Sequence, residues 1–123
     1  PLQKVIVVHA NHANEIDDDV RRALAALRAT GASLLNQSVL LAGVNDSADA
    51  LAGLSETLLD AGVLPYYLHM LDPVAGAAHF AVAESRAAGL MRELAARLPG
   101  YLVPRLVREV AGAPSKLAVD LEV

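Results

Sequence analysis

Three times along this chain, a run of apolar, strand-forming residues ends in a small cluster of polar side chains and gives way to an amphipathic helical pattern. Val5 to Val8 leads into His9-Ala10-Asn11-His12-Ala13-Asn14-Glu15, Ser38 to Ala42 into Gly43-Val44-Asn45-Asp46, and Leu64 to Leu71 into Asp72. Strands that alternate with helices at this spacing imply a parallel sheet joined by right-handed crossovers. Such folds build their sites at the carboxyl ends of the strands, which is where the polar clusters fall. The fold class expected is therefore α/β, alternating βα units with a parallel sheet. Three units plus a fourth strand make half of a barrel or a small open sheet. The 123 residues suit one domain, 1–123, ending in a turn-rich loop and tail over 111–123.

Helix signals support this reading. Asp17 is placed to cap the first helix, with Asp18 and Asp19 favouring its positive end, and Val20, Ala23, Leu24 and Leu27 form one apolar face. Gly31 is a C-terminal stop. The second helix follows Asp46 or Ser47, turns Leu51, Leu54, Leu58 and Leu59 to the core, and ends at Gly62. The third spans about 82 to 98, with Ala87, Leu90, Met91, Leu94 and Leu98 inward, and stops at Pro99-Gly100. A fourth strand is expected from Leu102 to Val107, and a short extended tail after Lys116.

Composition narrows the function. The chain is 54% hydrophobic but only 3% aromatic, so Leu, Val and Ala build the core. Its formal charge of −4, with no basic stripe, argues against a nucleic-acid surface. No apolar run reaches the roughly 18 residues of a membrane span, and Pro1-Leu2-Gln3-Lys4 does not read as a signal peptide. A cytoplasmic location is the expectation. There is no Cys, which rules out disulfides, thiol catalysis and cluster ligation by this segment itself. A chain that opens on Pro1 and enters a strand almost at once reads as an excised part of a longer protein.

Several residues could carry chemistry. His9 and His12 are spaced i, i+3, but zinc needs further ligands, and bracing of a tight βα turn competes with that role. Gln37 and Ser38 point to opposite faces of a strand, and Gln37 could serve a neighbouring loop or a ligand. Tyr67, His69 and Leu71 share one face of the third strand; Tyr66, Leu68, Met70 and Asp72 share the other. Asp72 could meet a cationic substrate or cap the next turn. Lys116 follows the compact Ala111-Gly112-Ala113-Pro114-Ser115, where a Schiff-base lysine or a solvated tail residue would both fit. The pattern is not a P-loop.

Taken together, HANHANEID (9–17), LLNQSVLLAGVND (34–46), LPYYLHMLDPVAGAAHF (64–80) and GYLVPRLVREVAGAPSK (100–116) resemble the C-terminal half of the lysine 2,3-aminomutases, in order and over nearly the whole chain. The branch that supplies β-lysine for modification of elongation factor P is the most similar. The resemblance implies the C-terminal half of a radical S-adenosylmethionine barrel, a partial TIM-like barrel that also uses pyridoxal phosphate and a [4Fe–4S] cluster. It implies that Lys116 anchors pyridoxal phosphate, that His9, Gln37 and His69 line the cofactor cavity, and that Asp72 and Glu109 bind the ε-ammonium of substrate lysine. Glu109 stands where the well-known enzymes carry Asp, and His69 where the clostridial-type enzymes carry Tyr. The cluster cysteines of the family, and the arginines for substrate carboxylate and cofactor phosphate, lie upstream and are absent here. The absence of a long extension after Lys116 favours the elongation-factor-P branch.

The implied function is PLP-assisted radical migration of an amino group, converting α-lysine to β-lysine, with the isolated segment inactive. Its partners would be lysine and the N-terminal half of the same protein, with no nucleic acid or membrane. A half barrel leaves an apolar face and two sheet edges open, so the isolated segment is expected to self-associate or to repack over that face. A free-standing binding or assembly module is the competing reading from another class. An ordinary pyridoxal-phosphate enzyme would need a phosphate loop that the sequence does not contain.

Overall fold

The structure, a computed structural model, describes residues 3–71, 78–108 and 117–118. Strand β1 (Val5–His9) is followed by helix α1 (Asp18–Ala29), β2 (Ser33–Leu40), α2 (Ala48–Asp60), β3 (Val63–Met70), α3 (Glu84–Arg97), β4 (Arg105–Arg108) and a two-residue strand β5 (Leu117–Ala118). The sheet order is β1-β2-β3-β4-β5. The first four strands are parallel and β5 is antiparallel to β4.

Local chemistry sets the helix ends. The Asp17 carboxylate accepts from the Val20 amide at 2.8 Å, and the Ser47 hydroxyl accepts from Ala50 at 3.1 Å. Each supplies a partner to an amide that has none within its helix. Gly31 (φ 90°) and Gly62 (φ 81°) turn the chain out of α1 and α2 through a left-handed conformation open to glycine. Helix α3 has no side-chain cap at Ala83; its first residue, Glu84, is instead paired with Arg108 of β4 at 2.8 Å.

All three helices cover one face of the sheet. Leu40, Leu68 and Leu106 from the strands pack with Leu51, Ala52, Ala87, Leu90, Met91 and Leu94 of α2 and α3. Leu34 and Val63 pack with Leu24, Leu54 and Leu58 of α1 and α2. Burial of a leucine of this kind is worth about 1.5–3 kcal/mol, so these two clusters bind helices to sheet. The opposite face carries the alternate residues. There Val5 is 59% exposed, Val7 37% and Leu64 40%.

Tertiary pairing alters several boundaries expected from sequence. Strand β2 begins at Ser33 rather than Ser38, because residues 33–37 pair with the whole of β1. Strand β4 begins at Arg105, since Gly100–Leu102 forms a 3₁₀ turn after Pro99. Helix α3 runs from Glu84 to Arg97, two residues later and one residue earlier than the expected ends. Ala23 and Leu59, assigned to the core by periodicity, are exposed. Tyr66 does not share the buried face of Leu68. A register shift between Asn36 and Gln37 pairs Asn36 with Pro65 and Gln37 with Tyr67, leaving Tyr66 as the extra residue. Its ring lies 4.0 Å from that of Tyr67, and it is 41% exposed.

Candidate active site

The carboxyl ends of β1 and β2 are tied together by three asparagines. Asn36, buried on β2, accepts from the Ala10 amide at 2.9 Å and donates to the Ala10 carbonyl at 3.0 Å. Asn11 accepts from the Val39 amide at 2.9 Å. Asn45, also buried, accepts from Leu41 at 2.8 Å and donates to the carbonyls of Asn11 (2.8 Å) and Val39 (2.9 Å). An amide side chain both donates and accepts, so it can substitute for the ladder where the strands stop. These asparagines hold the loops that follow β1 and β2 in fixed positions. The roles of Asn36 and Asn45 were not anticipated from sequence; the available signal was an Asn soon after each of the first two apolar runs, Asn11 and Asn45.

His12 belongs to the same turn. Its Nδ1 accepts from the Asn14 amide at 3.1 Å, and its own backbone amide donates to Glu15 Oε2 at 2.9 Å. The ring and the carboxylate thus form a capping box on the turn Ala13–Glu15. Among the described residues, no group of three or more His, Asp or Glu side chains is placed to hold a metal ion.

The open face of the sheet assembles the residues singled out as cavity-lining. In register, His9 lies beside Gln37, Gln37 beside Tyr67, and Tyr67 beside Arg105. Below this polar row is an apolar one, Val7, Leu35 and Leu64; above it, Val39, His69 and Val107. Such layering of inward side chains is how parallel barrels fill their interior. His9 is exposed, and Gln37, Tyr67 and His69 are half-buried. His69 Nε2 lies 3.2 Å from Gln37 Oε1. The Tyr67 ring meets the His69 ring edge-on, at 5.8 Å and 73°. The hydrogen bond with Tyr67, followed by that phenol's charge and desolvation, holds the Tyr66 hydroxyl above the ordinary tyrosine range, against a small opposing effect of Arg105. His9, Gln37 and His69, distant in sequence, are therefore brought onto one face. Asp72, Glu109 and Lys116 lie outside the described residues.

A second cleft, lined by Ser47, Asp49, Arg86, Leu90 and Arg97, lies between α2 and α3. Its arginines are already engaged, Arg97 with Asp49 at 2.7 Å and Arg86 with the Asp46 carbonyl at 2.8 Å.

No protein-family model matches the chain. It is 58% identical to the L-lysine 2,3-aminomutase of Escherichia coli K12 over 121 residues, 98% of this chain and 35% of that protein. It is 51% identical to the L-lysine 2,3-aminomutase of Haemophilus influenzae over 115 residues, 94% of this chain and 34% of that one. The chain is homologous to a segment of L-lysine 2,3-aminomutase. It spans about a third of the length of these curated relatives. An aminomutase of the same name from Clostridium subterminale is 37% identical over 111 residues, covering 90% of this chain and 27% of that protein. Among solved structures, a radical SAM methyltransferase from Sphaerobacter thermophilus matches with a TM-score of 0.58 at 20% identity, over 87% of this chain and 34% of that one. At that identity the match speaks for the fold alone, alternating βα units on a parallel sheet. It agrees with an aminomutase segment whose helices cover one face and whose other face is open. Among the described residues no helix is long and apolar enough to cross a membrane.

Proposed function

We propose that the protein containing this chain is a radical S-adenosylmethionine lysine 2,3-aminomutase, an isomerase that converts α-lysine to β-lysine with pyridoxal phosphate, for modification of elongation factor P. The observation that carries this reading is homology to aminomutases over 98% of the chain, at 58% identity. The gathering of His9, Gln37 and His69 on the open sheet face supports it.

The described residues suit one of the implied groups and not another. A flat, hydrogen-bonding cofactor such as pyridoxal phosphate fits a face that offers a fixed amide, two imidazoles and the tyrosine pair. An iron–sulfur cluster finds no ligand in this chain, which has no Cys, so its cysteines belong elsewhere in the full-length protein.

Bound pyridoxal phosphate supplies a π system that stabilises an unpaired electron next to the migrating nitrogen. Lys116 is the proposed anchor. Asp72 and Glu109 are proposed to receive the ε-ammonium of lysine, which fixes the carbon presented for reaction. His9 and Gln37 orient the ligands by hydrogen bonds. The apolar row of Val7, Leu35 and Leu64 lies beneath them and is proposed to exclude water once the rest of the full-length protein covers this face.

The test is borohydride reduction of the full-length, cofactor-loaded protein followed by peptide mapping. The label is expected on the peptide containing Lys116, with label and β-lysine formation both lost in Lys116→Ala. Label on another lysine, or unchanged turnover in the variant, refutes the assignment.

A further inference from the structure

We infer that the ion pair between Glu84 and Arg108 is a positioning device for the proposed lysine site: it ties to helix α3 the strand end from which the chain continues to Glu109 and to which it returns after Lys116. The inference deepens the functional reading above and rests on it.

The carboxyl end of β4 is thinly held. Its ladder with β3 runs through Tyr67–Arg105, Leu68–Leu106 and His69–Val107 and stops there. Among the described residues Arg108 has one rung, to Leu117 of the two-residue β5. Glu109 is the next residue after Arg108, and Lys116 is the one before Leu117. A single rung therefore closes the stretch that carries both the proposed ammonium ligand and the proposed cofactor anchor. Two paired residues are a weak clamp by themselves.

The Arg108 side chain links that rung to the packed body. Leu106 faces the helices, and a residue two positions further along a strand faces the same way, so Arg108 is turned toward α3. Its Nη1 donates to Glu84 Oε1 at 2.8 Å. Glu84 is the first residue of α3, and that helix is fixed by contacts of its own. Ala87, Leu90 and Met91 are buried in the core cluster, and Arg86 donates to the Asp46 carbonyl at 2.8 Å. Glu84 is thus a firm post, and Arg108 is the tether from the strand end. The pair is about half exposed, at 48% and 52%. Exposed pairs add little to overall stability, so the effect of this one is local, on where the end of β4 is held. Both are positioning residues, acting through Glu109 and Lys116.

The test uses the full-length, cofactor-loaded protein with Glu84→Gln, Arg108→Gln and the double variant. KM for lysine should rise about two- to fivefold in each single variant, the range that the coupling of an exposed pair allows, with a smaller change in kcat. Because the two side chains act as one device, the double variant should be no worse than the poorer single. A direct charge effect on a cationic substrate would instead have opposite signs, raising KM when Glu84 is neutralised and lowering it when Arg108 is. Hydrogen exchange is the readout apart from activity. A peptide spanning residues 105–118 should exchange about two- to fivefold faster in both singles and in the double, while one spanning 87–97 is unchanged. A KM unmoved in both singles, KM shifts of opposite sign, additive losses in the double, or unchanged exchange over 105–118 overturns the inference. An unaltered full-length protein that makes no β-lysine overturns the functional reading instead, and is recognised by an intact exchange pattern. If Arg108→Gln fails to fold, Arg108→Met, which keeps the apolar stem, takes its place with the same outcomes.

Discussion

Replacing Asn45 by Ala tests whether a single side chain holds the strand ends at the site. Asn45 is 1% exposed and makes three hydrogen bonds: from Leu41 at 2.8 Å, to Asn11 at 2.8 Å and to Val39 at 2.9 Å. A net hydrogen bond contributes about 0.5–1.5 kcal/mol, and a buried group left without a partner costs about 1–3 kcal/mol. The substitution leaves one amide and two carbonyls without Asn45. If water reaches one of them, the remaining two set a loss of about 3–4 kcal/mol, near the upper end for a single change. Hydrogen exchange by mass spectrometry on the full-length protein reads this locally, on a peptide spanning residues 36–46. About 3 kcal/mol corresponds to a loss of protection on the order of 100-fold in that peptide. Peptides from α3 should change far less, because their core of Leu90, Met91 and Leu94 does not touch Asn45 in the hydrogen-bond network. Protection within about threefold of the unaltered protein over 36–46 would refute the view that this amide organises the strand ends.

Three further outcomes are expected. Gly62→Ala should destabilise the full-length protein by about 1–2 kcal/mol in thermal or chemical unfolding, because φ is 81° and the added Cβ would meet the Arg28 side chain; Gly53→Ala, in α2 with nothing within 4 Å, should stabilise by about 0.5–1 kcal/mol. The isolated segment should self-associate and bind an apolar dye through its open face, and Val7→Lys with Leu64→Lys should reduce both effects; a monomer that binds no dye, seen by size-exclusion chromatography with light scattering, would contradict this.

How much was legible depends on how far each residue's partners lie along the chain. The alternation of strands and helices, the cap Asp17 and the stops at Gly31 and Gly62 are written in stretches of a few residues, and the structure has them where the sequence puts them; of the two starts offered for the second helix, it takes Ser47. The inward positions of α3 follow from its own period. Local period alone overreached at Ala23 and Leu59, since the exposed edge of an apolar stripe is defined by what packs against it.

Strand pairing lies beyond that local range. That β2 extends back to Ser33 follows from its contacts with β1, and that Tyr66 leaves the Leu68 face follows from the register shift against Asn36. The site is the extreme case. His9, Gln37 and His69 were picked out by their types and by a family resemblance, but sixty residues separate the first from the last. Only the parallel register sets His9 beside Gln37 and brings Gln37 within 3.2 Å of His69. It also adds Arg105, beside Tyr67, to the same row, which no local pattern marks. By itself the sequence determined the elements, their order and the end of the sheet where polar residues gather, because these depend on periodicity and capping. Tertiary structure decided which side chains meet, because a cross-strand contact exists only once long-range pairing has closed the loops between the strands.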